Sequence, residues 1–241
     1  MLLSRFAQGF ALGFLIWAGL PGPTAQAQDY VALLAAPDRS EADRQNDAKR
    51  QALELLRFSG PKTGWHVLDM GAGGGYSTEL MARAVGPSGK VYAQNGAASE
   101  RFATRAKSPA MANVTALTRP FDDPLPAGTE KLDLITFFFA YHDTIHMGVD
   151  RARMNKAIFA ALKPGGYLVI ADHSALPEDG VNVSKTLHRI GESALRTEVE
   201  AAGFKLVASG DFLRHPEDQR TAVVFRNPTP VDEFVLKFQK P

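Results

Sequence analysis

The chain contains no cysteine. That excludes disulfide bonds, a thiolate nucleophile and cysteine-held zinc, and it leaves the redox compartment open. An excess of charge is also missing. Lys and Arg number 27 against 26 Asp and Glu, a formal net charge of +1. So even a balance gives no footing for nucleic acid or for a strongly acidic partner. Internal repeats and low-complexity tracts are absent. The apolar run Phe10 to Leu20 is short of the ~20 residues a bilayer-spanning helix needs.

What is present is a length of 241 residues with 45% hydrophobic content, enough for one domain with a full core. The first 27 residues have their own logic. Arg5 precedes the apolar run, Pro21 and Pro23 follow it, and Ala25-Gln26-Ala27 closes the segment. This is the layout of a secretory signal peptide. The expectation is a mature protein starting near Gln28, periplasmic or secreted, with no stable membrane span after cleavage; an uncleaved anchor is the alternative. The domain is then 28–241, with 28–60 forming a leader and a helix.

Along that domain, extended and helical patterns alternate. Ser40 is placed to cap a helix, with Asp43 three residues on, and apolar residues recur through Ala48, Ala52, Leu55 and Leu56 up to Gly60-Pro61. Strand patterns follow in "HVLDM", "KVYAQ", "NVTAL", "LDLITFFFA", "YLVIAD", "FKLVAS" and "EFVLKF". Helical patterns separate most of them, in "YSTELMARAVG", residues 97–107, "DRARMNKAIFAAL" and "SALRTEVEAAG". Such alternation predicts an α/β fold with a mostly parallel sheet covered on both faces. No long helical pattern separates the last two strands, so they are expected to pair antiparallel at one edge.

The first strand runs into "VLDMGAGGGYSTEL". Glycine there serves a tight turn at positive φ and lets a ligand approach the backbone, while the next helix offers unpaired N–H groups. Dinucleotides and S-adenosylmethionine (SAM) both use such turns. The dinucleotide pattern fails, because its third small residue falls on Tyr76 or, one frame later, on Thr78. The run reads instead as Asp69, Gly71, Gly73 and Gly75 at alternate positions.

With those residues the chain resembles the class I SAM-dependent methyltransferases. "VLDMGAGGGYS" is similar to that family's first motif and "ALKPGGYLVIAD" to the entry of its fifth strand, and the likeness covers about residues 40–241. "FAYHD", "ADHS", "LHRI", "EAAGF" and "DEFVLKFQKP" resemble a narrower group of bacterial methyltransferases, predicted from sequence, that carry signal peptides. The resemblance implies a Rossmann-like sheet of seven strands, helices on both faces and an antiparallel edge strand. It implies SAM as cofactor and a small-molecule acceptor, with oligomeric state open. Asp69, Gly71, Gly73 and Gly75 would surround the methionine part of SAM, with Asp69 holding its ammonium; an acid that only caps the turn is the alternative. The family ends its second strand with an acid that grips the ribose. Here Gln94 and Asn95 stand in its place, without the charge. Asp122 or Asp123 would face the adenine amino group, unless "RPFDDPLP" is a plain surface turn.

After the fourth strand, Tyr141, His142 and Asp143 are placed beside the transferred methyl. His142 is the expected general base with Asp143 orienting it; a histidine that merely shapes the pocket is the alternative. Asp143 and Asp172 occupy positions similar to the magnesium acids of some small-molecule O-methyltransferases. His173, however, stands where an oxygen ligand would be expected. His142 and His146 have metal-ligand spacing only if they are helical. No metal is expected on this count. His188 and Arg189 sit in a loop that opens on the same side, and segments 28–60 and 213–231 are expected to cover the acceptor. The competing functional reading is an exported methyltransferase-fold protein that binds a nucleoside-like ligand without turnover.

Overall fold

A computed structural model describes residues 29–241. The expected signal peptide, residues 1–27, lies outside the described residues. Among the described residues no helix is long and apolar enough to cross a membrane.

The sheet has seven strands in the order β3-β2-β1-β4-β5-β7-β6. These are β1 (His66–Met70), β2 (Lys90–Asn95), β3 (Val114–Thr118), β4 (Leu132–Phe138), β5 (Leu162–His173), β6 (Lys205–Gly210) and β7 (Glu233–Gln239). The first five are parallel to one another. β7 runs antiparallel between β5 and β6, pairing with both. The last two strands therefore pair antiparallel as expected, but the later one is the inner one and β6 is the edge.

Successive strand residues face opposite sides. Leu68, Met70, Ile135 and Phe137 meet one buried cluster with Met154, Ile158, Leu195 and Val199. These come from α7 (Arg151–Ala161) and α9 (Glu192–Glu200). Val67, Leu134 and Val169 meet a second cluster with Leu55, Leu56, Leu80, Met81 and Val85, from α3 (Ala52–Ser59) and α4 (Tyr76–Val85). Both faces are covered, which is why the central strands read as nearly continuous apolar runs.

The N-terminal region departs from expectation. Residues 28–39, taken as loose, contain α1 (Tyr30–Leu34). Ser40 does cap a helix, accepting from the Asp43 N–H at 3.1 Å. That helix, α2 (Glu41–Lys49), stops at Arg50, and Gln51 is left-handed at φ 47° before α3 begins. The apolar spacing continues through the break, so sequence periodicity runs the two helices together. The remaining helices are α5 (Glu100–Arg105), α6 (Asp143–His146) and α8 (Ser184–Leu187).

Candidate active site

Gly71, Gly73 and Gly75 all have positive φ, at 63°, 56° and 83°, so each alternate glycine answers a conformational demand. The turn they make brings β1 to the N-terminus of α4. At Gly71 the demand is also steric: a Cβ there would come 2.9 Å from the Cβ of Ala140, in the turn after β4.

Asp69 lies beneath this turn, 1% exposed. It accepts hydrogen bonds from the hydroxyls of Thr78 at 2.6 Å and Ser77 and Thr136 at 2.8 Å. Burial raises its pKa, against the pull of the three hydroxyls. The carboxylate thus ties α4 to β1 and β4. It anchors the turn, and one of its partners, Ser77, lines the cavity described below.

The two amides ending β2 are also spent on the turn. Gln94 is fully buried; its Oε1 accepts from the Gly71 N–H at 3.1 Å and its Nε2 donates to the Arg119 carbonyl at 2.6 Å. Asn95 Oδ1 accepts from the Gly73 N–H at 2.7 Å. Gln94 is thereby removed from the ribose position that sequence gave it, because a strand side chain pointing into the loop core cannot also face solvent. Arg105 grips the turn from outside, donating to the Gly74 carbonyl at 3.0 Å and to Asp43 and Glu79. Asp122 lies 3.7 Å from Arg153, as an ion pair. The ring of its neighbour Phe121 stacks on Phe137 at 5.8 Å and packs against Gly71 and Gly96.

A cavity of about 350 Å³ opens on the turn, lined by Gly71, Ala72, Gly74 and Ser77 and by Phe138, Phe139, Ala140 and Asp143 from the end of β4. Leu55, Leu56, Leu80 and Met81 supply apolar walls. Arg50 enters from the break between α2 and α3, its guanidinium 3.7 Å from the Phe139 ring centroid and 3.8 Å from Glu233. Desolvation lowers its pKa, against the attraction of nearby acids. Phe139 holds φ 58°, an uncommon conformation for a bulky residue. On the far side of Arg50 lies a second cavity of about 440 Å³, lined by His173, Glu233 and residues from the 213–231 segment. Residues of the two expected cover segments, 28–60 and 213–231, line these cavities. Nothing in the sequence singled out Arg50, because the helix break that aims it carries neither glycine nor proline.

Tyr141 does not reach the cavity. It is fully buried, its hydroxyl donating to Glu198 at 2.8 Å and accepting from Asn155. That corrects its placement beside the methyl. Tyr141 and His142 are both buried after β4, and the Tyr141 side chain is taken by α7 and α9 through Asn155 and Glu198. His142 Nδ1 lies 2.7 Å from Asp172 and its Nε2 3.0 Å from Asp143. Burial lowers its pKa but the two carboxylates outweigh it, raising it to about 10. Asp172, not Asp143, is the residue in hydrogen-bond contact with the ring. With each ring nitrogen beside a carboxylate, His142 is held in place on two sides. Arg189, considered as a substrate contact, is wholly buried against Asp218 and anchors the 213–231 segment.

Residues 61–207 match the Methyltransferase domain family. The chain belongs to that family. It is 25% identical over 216 residues to the ubiquinone/menaquinone biosynthesis C-methyltransferase UbiE of Cronobacter sakazakii, covering 84% of this chain and 82% of the relative. Its fold matches a SAM-dependent methyltransferase from Aquifex aeolicus with a TM-score of 0.58 at 20% identity, over 78% of this chain and 88% of that one. It also matches the fibrillarin of Aeropyrum pernix, crystallised with natively bound SAM, with a TM-score of 0.52 at 16% identity over 78% and 74% of the chains. The protein is a SAM-dependent methyltransferase.

The cavity fits that cofactor. Its floor is backbone with no side chain beyond a methyl at Gly71, Ala72 and Gly74, and its volume lies in the range of small-molecule sites. Gly71, Ala72, Gly74, Ser77 and Ala140 are the methyltransferase residues that would hold SAM, whose sulfonium supplies an electrophilic methyl. The chain's part is to align an acceptor atom with that methyl and keep water away, which proximity in an apolar pocket achieves.

Proposed function

We propose that this methyltransferase transfers the methyl of SAM to a small, largely apolar acceptor, and that it does so after export from the cytoplasm. The observation that carries the acceptor reading is the pair of cavities divided by Arg50. One opens on the glycine turn and the other lies beneath the 213–231 segment, so cofactor and acceptor can enter from opposite sides and meet beside Phe139. The first cavity is apolar except at Arg50, Tyr76, Ser77 and Asp143, so an acceptor that meets the methyl there presents an apolar part, while Lys49, Arg50, His173, His215 and Glu233 of the second cavity can hold a polar group. The name of the Cronobacter relative, from quinone biosynthesis, supports the same class. The even charge balance supports a small molecule over nucleic acid. The layout of residues 1–27 supports export.

Calorimetric titration with SAM, followed by displacement with S-adenosylhomocysteine, tests the cofactor half. Release of S-adenosylhomocysteine on a panel of small phenols, quinols and amines tests the acceptor half. No heat, or heat without product on any acceptor, removes the corresponding half.

A second reading, a binding protein without turnover, rests on the spent amides: neither Gln94 nor Asn95 brings an acid to the ribose position. Asn95→Asp adds a charge while keeping the acceptor for the Gly73 N–H. A rise in SAM affinity of about 10-fold, the scale of one charge-assisted hydrogen bond, together with turnover, marks the natural protein as a weakened catalyst. Tighter binding without any methyl transfer favours the second reading.

A further inference from the structure

The end of β4 gathers groups that methyl transfer does not require. We propose that His142 Nε2, Asp143 Oδ1 and His188 Nδ1 form a binding site for one divalent first-row transition ion, of the zinc class, at the mouth of the cavity.

The three ligand atoms all lie within 4.8 Å of one another. Asp143 Oδ1 is 3.0 Å from His142 Nε2 and 3.3 Å from His188 Nδ1. Metal–ligand bonds of 2.0–2.2 Å at a tetrahedral angle set ligand atoms about 3.3 Å apart. The same Asp143 oxygen is buried and makes no hydrogen bond, although imidazole nitrogens surround it. The nitrogens are close enough to bond but do not aim at the oxygen, as ligands do when they share a centre and not a proton. His146 Nε2, 3.8 Å away on the other end of α6, is the reserve ligand.

Three independent features point the same way. Asp172, fully buried, takes His142 Nδ1 at 2.7 Å and also accepts the backbone N–H groups of His142 and His173. It fixes the ring so that Nε2 faces outward, the carboxylate–histidine arrangement that orients metal ligands. His188 holds its ring in place at φ 54° and ψ 48°, a left-handed conformation that a histidine adopts at a cost. Phe225, 77% exposed, lies 4.9 Å from the His188 ring and packs against it. The neighbouring His173 stands apart from the three, with its Nδ1 2.8 Å from Glu233.

The ligand chemistry selects the ion. Two imidazoles and one carboxylate suit zinc, cobalt, nickel or ferrous iron, and disfavour magnesium and calcium, which take oxygen. Three protein ligands leave a position free, as in catalytic metal sites. Asp143 also lines the cavity, so the open position faces the space where an acceptor would lie. A hydroxyl bound there would lose its proton more readily. This proposal stands on the cluster alone and is tested without SAM.

The experiment uses the full chain, freed of metal by dialysis against a chelator and titrated with zinc and with cobalt, read by calorimetry and by cobalt absorption. One equivalent is expected, with a dissociation constant of about 10 µM or tighter, short of a four-ligand structural site. His188→Asn keeps a residue that tolerates the left-handed backbone and should weaken binding at least ~10-fold. Asp143→Asn should do the same, and Asp172→Asn should weaken binding by about 10-fold with the stoichiometry unchanged. Thermal melting of each variant identifies any that fails to fold. No uptake of zinc, cobalt, nickel or manganese by the parent protein, or equal affinity in folded His188→Asn, overturns the proposal. SAM binding by the same metal-free sample reports the cofactor reading separately.

Discussion

The turns after β1 and β4 lie side by side, with Gly71 nearly touching Ala140, yet they solve the same conformational problem in opposite ways. Both need left-handed residues. The β1 turn gives every such position to glycine, whereas the β4 turn gives it to Phe139, and the loop opposite gives it to His188. A glycine costs nothing at positive φ; a bulky residue there stores strain of order 1–3 kcal/mol. The first turn requires bare backbone. The second requires a particular ring, stacked on Arg50, and the loop opposite sets another beside Asp143. Strain is tolerated where a side chain is needed and avoided where its absence is needed.

The largest effect should come from cutting the anchor of the glycine turn. Asp69→Ala strands the Ser77, Thr78 and Thr136 hydroxyls, and the loss should be about 3–5 kcal/mol, seen as an early midpoint in urea. Next, Gly71→Ala meets both the left-handed backbone and Ala140, and should lose about 2 kcal/mol. Gly73→Val separates stability from binding. Its Cβ would meet only a carbonyl 3.9 Å away, so the fold should lose only left-handed strain of about 1–2 kcal/mol while calorimetry finds SAM binding abolished. Phe139→Gly should reverse the sign of that trade. Relief of strain offsets the lost ring, stability should move by less than about 1 kcal/mol, and turnover should fall because Arg50 loses its platform. Equal stability losses for Gly71→Ala and Phe139→Gly would erase the distinction between the two turns.

The smallest effect is one of pH. Hydrogen bonding to Arg105 holds the Asp43 carboxyl below its ordinary value, against burial. Its folded pKa is thus below its unfolded one, so the stabilisation is complete above about pH 4 and fades as pH falls further. Because Arg105 also holds the Gly74 carbonyl, SAM affinity at pH 3.5 should drop before global unfolding by circular dichroism. Coincident loss of both would detach Asp43 from the turn.

Sequence exposed the β1 turn almost completely because its demand is for residue types: three alternate glycines could be read as three positive φ angles. The alternation of strands and helices was equally legible, since both faces of the sheet are buried. The β4 turn was only partly legible. Its chemistry-bearing residues are visible in "FAYHD", but which of them points inward depends on tertiary contacts. Tyr141 is claimed by Glu198 and Asn155, and His142 by an aspartate thirty residues on. Gln94 was misplaced for the same reason. Arg50 and His188 depend on backbone conformations that their own residue types do not announce. The inner position of β7 escaped notice because two strands pair antiparallel whichever of them is central.

That insertion governs how the molecule comes together. Among the described residues β6 pairs only with β7, and β7 contributes Phe234, Leu236 and Phe238 to one buried cluster and Val235 to the other. A nascent polypeptide halted anywhere before residue 233 therefore leaves one sheet margin unsealed, with β6 lacking any hydrogen-bonded neighbour. Residues 233–239 thus close two strand partnerships at once, so removing them would open the sheet on both sides of a single position.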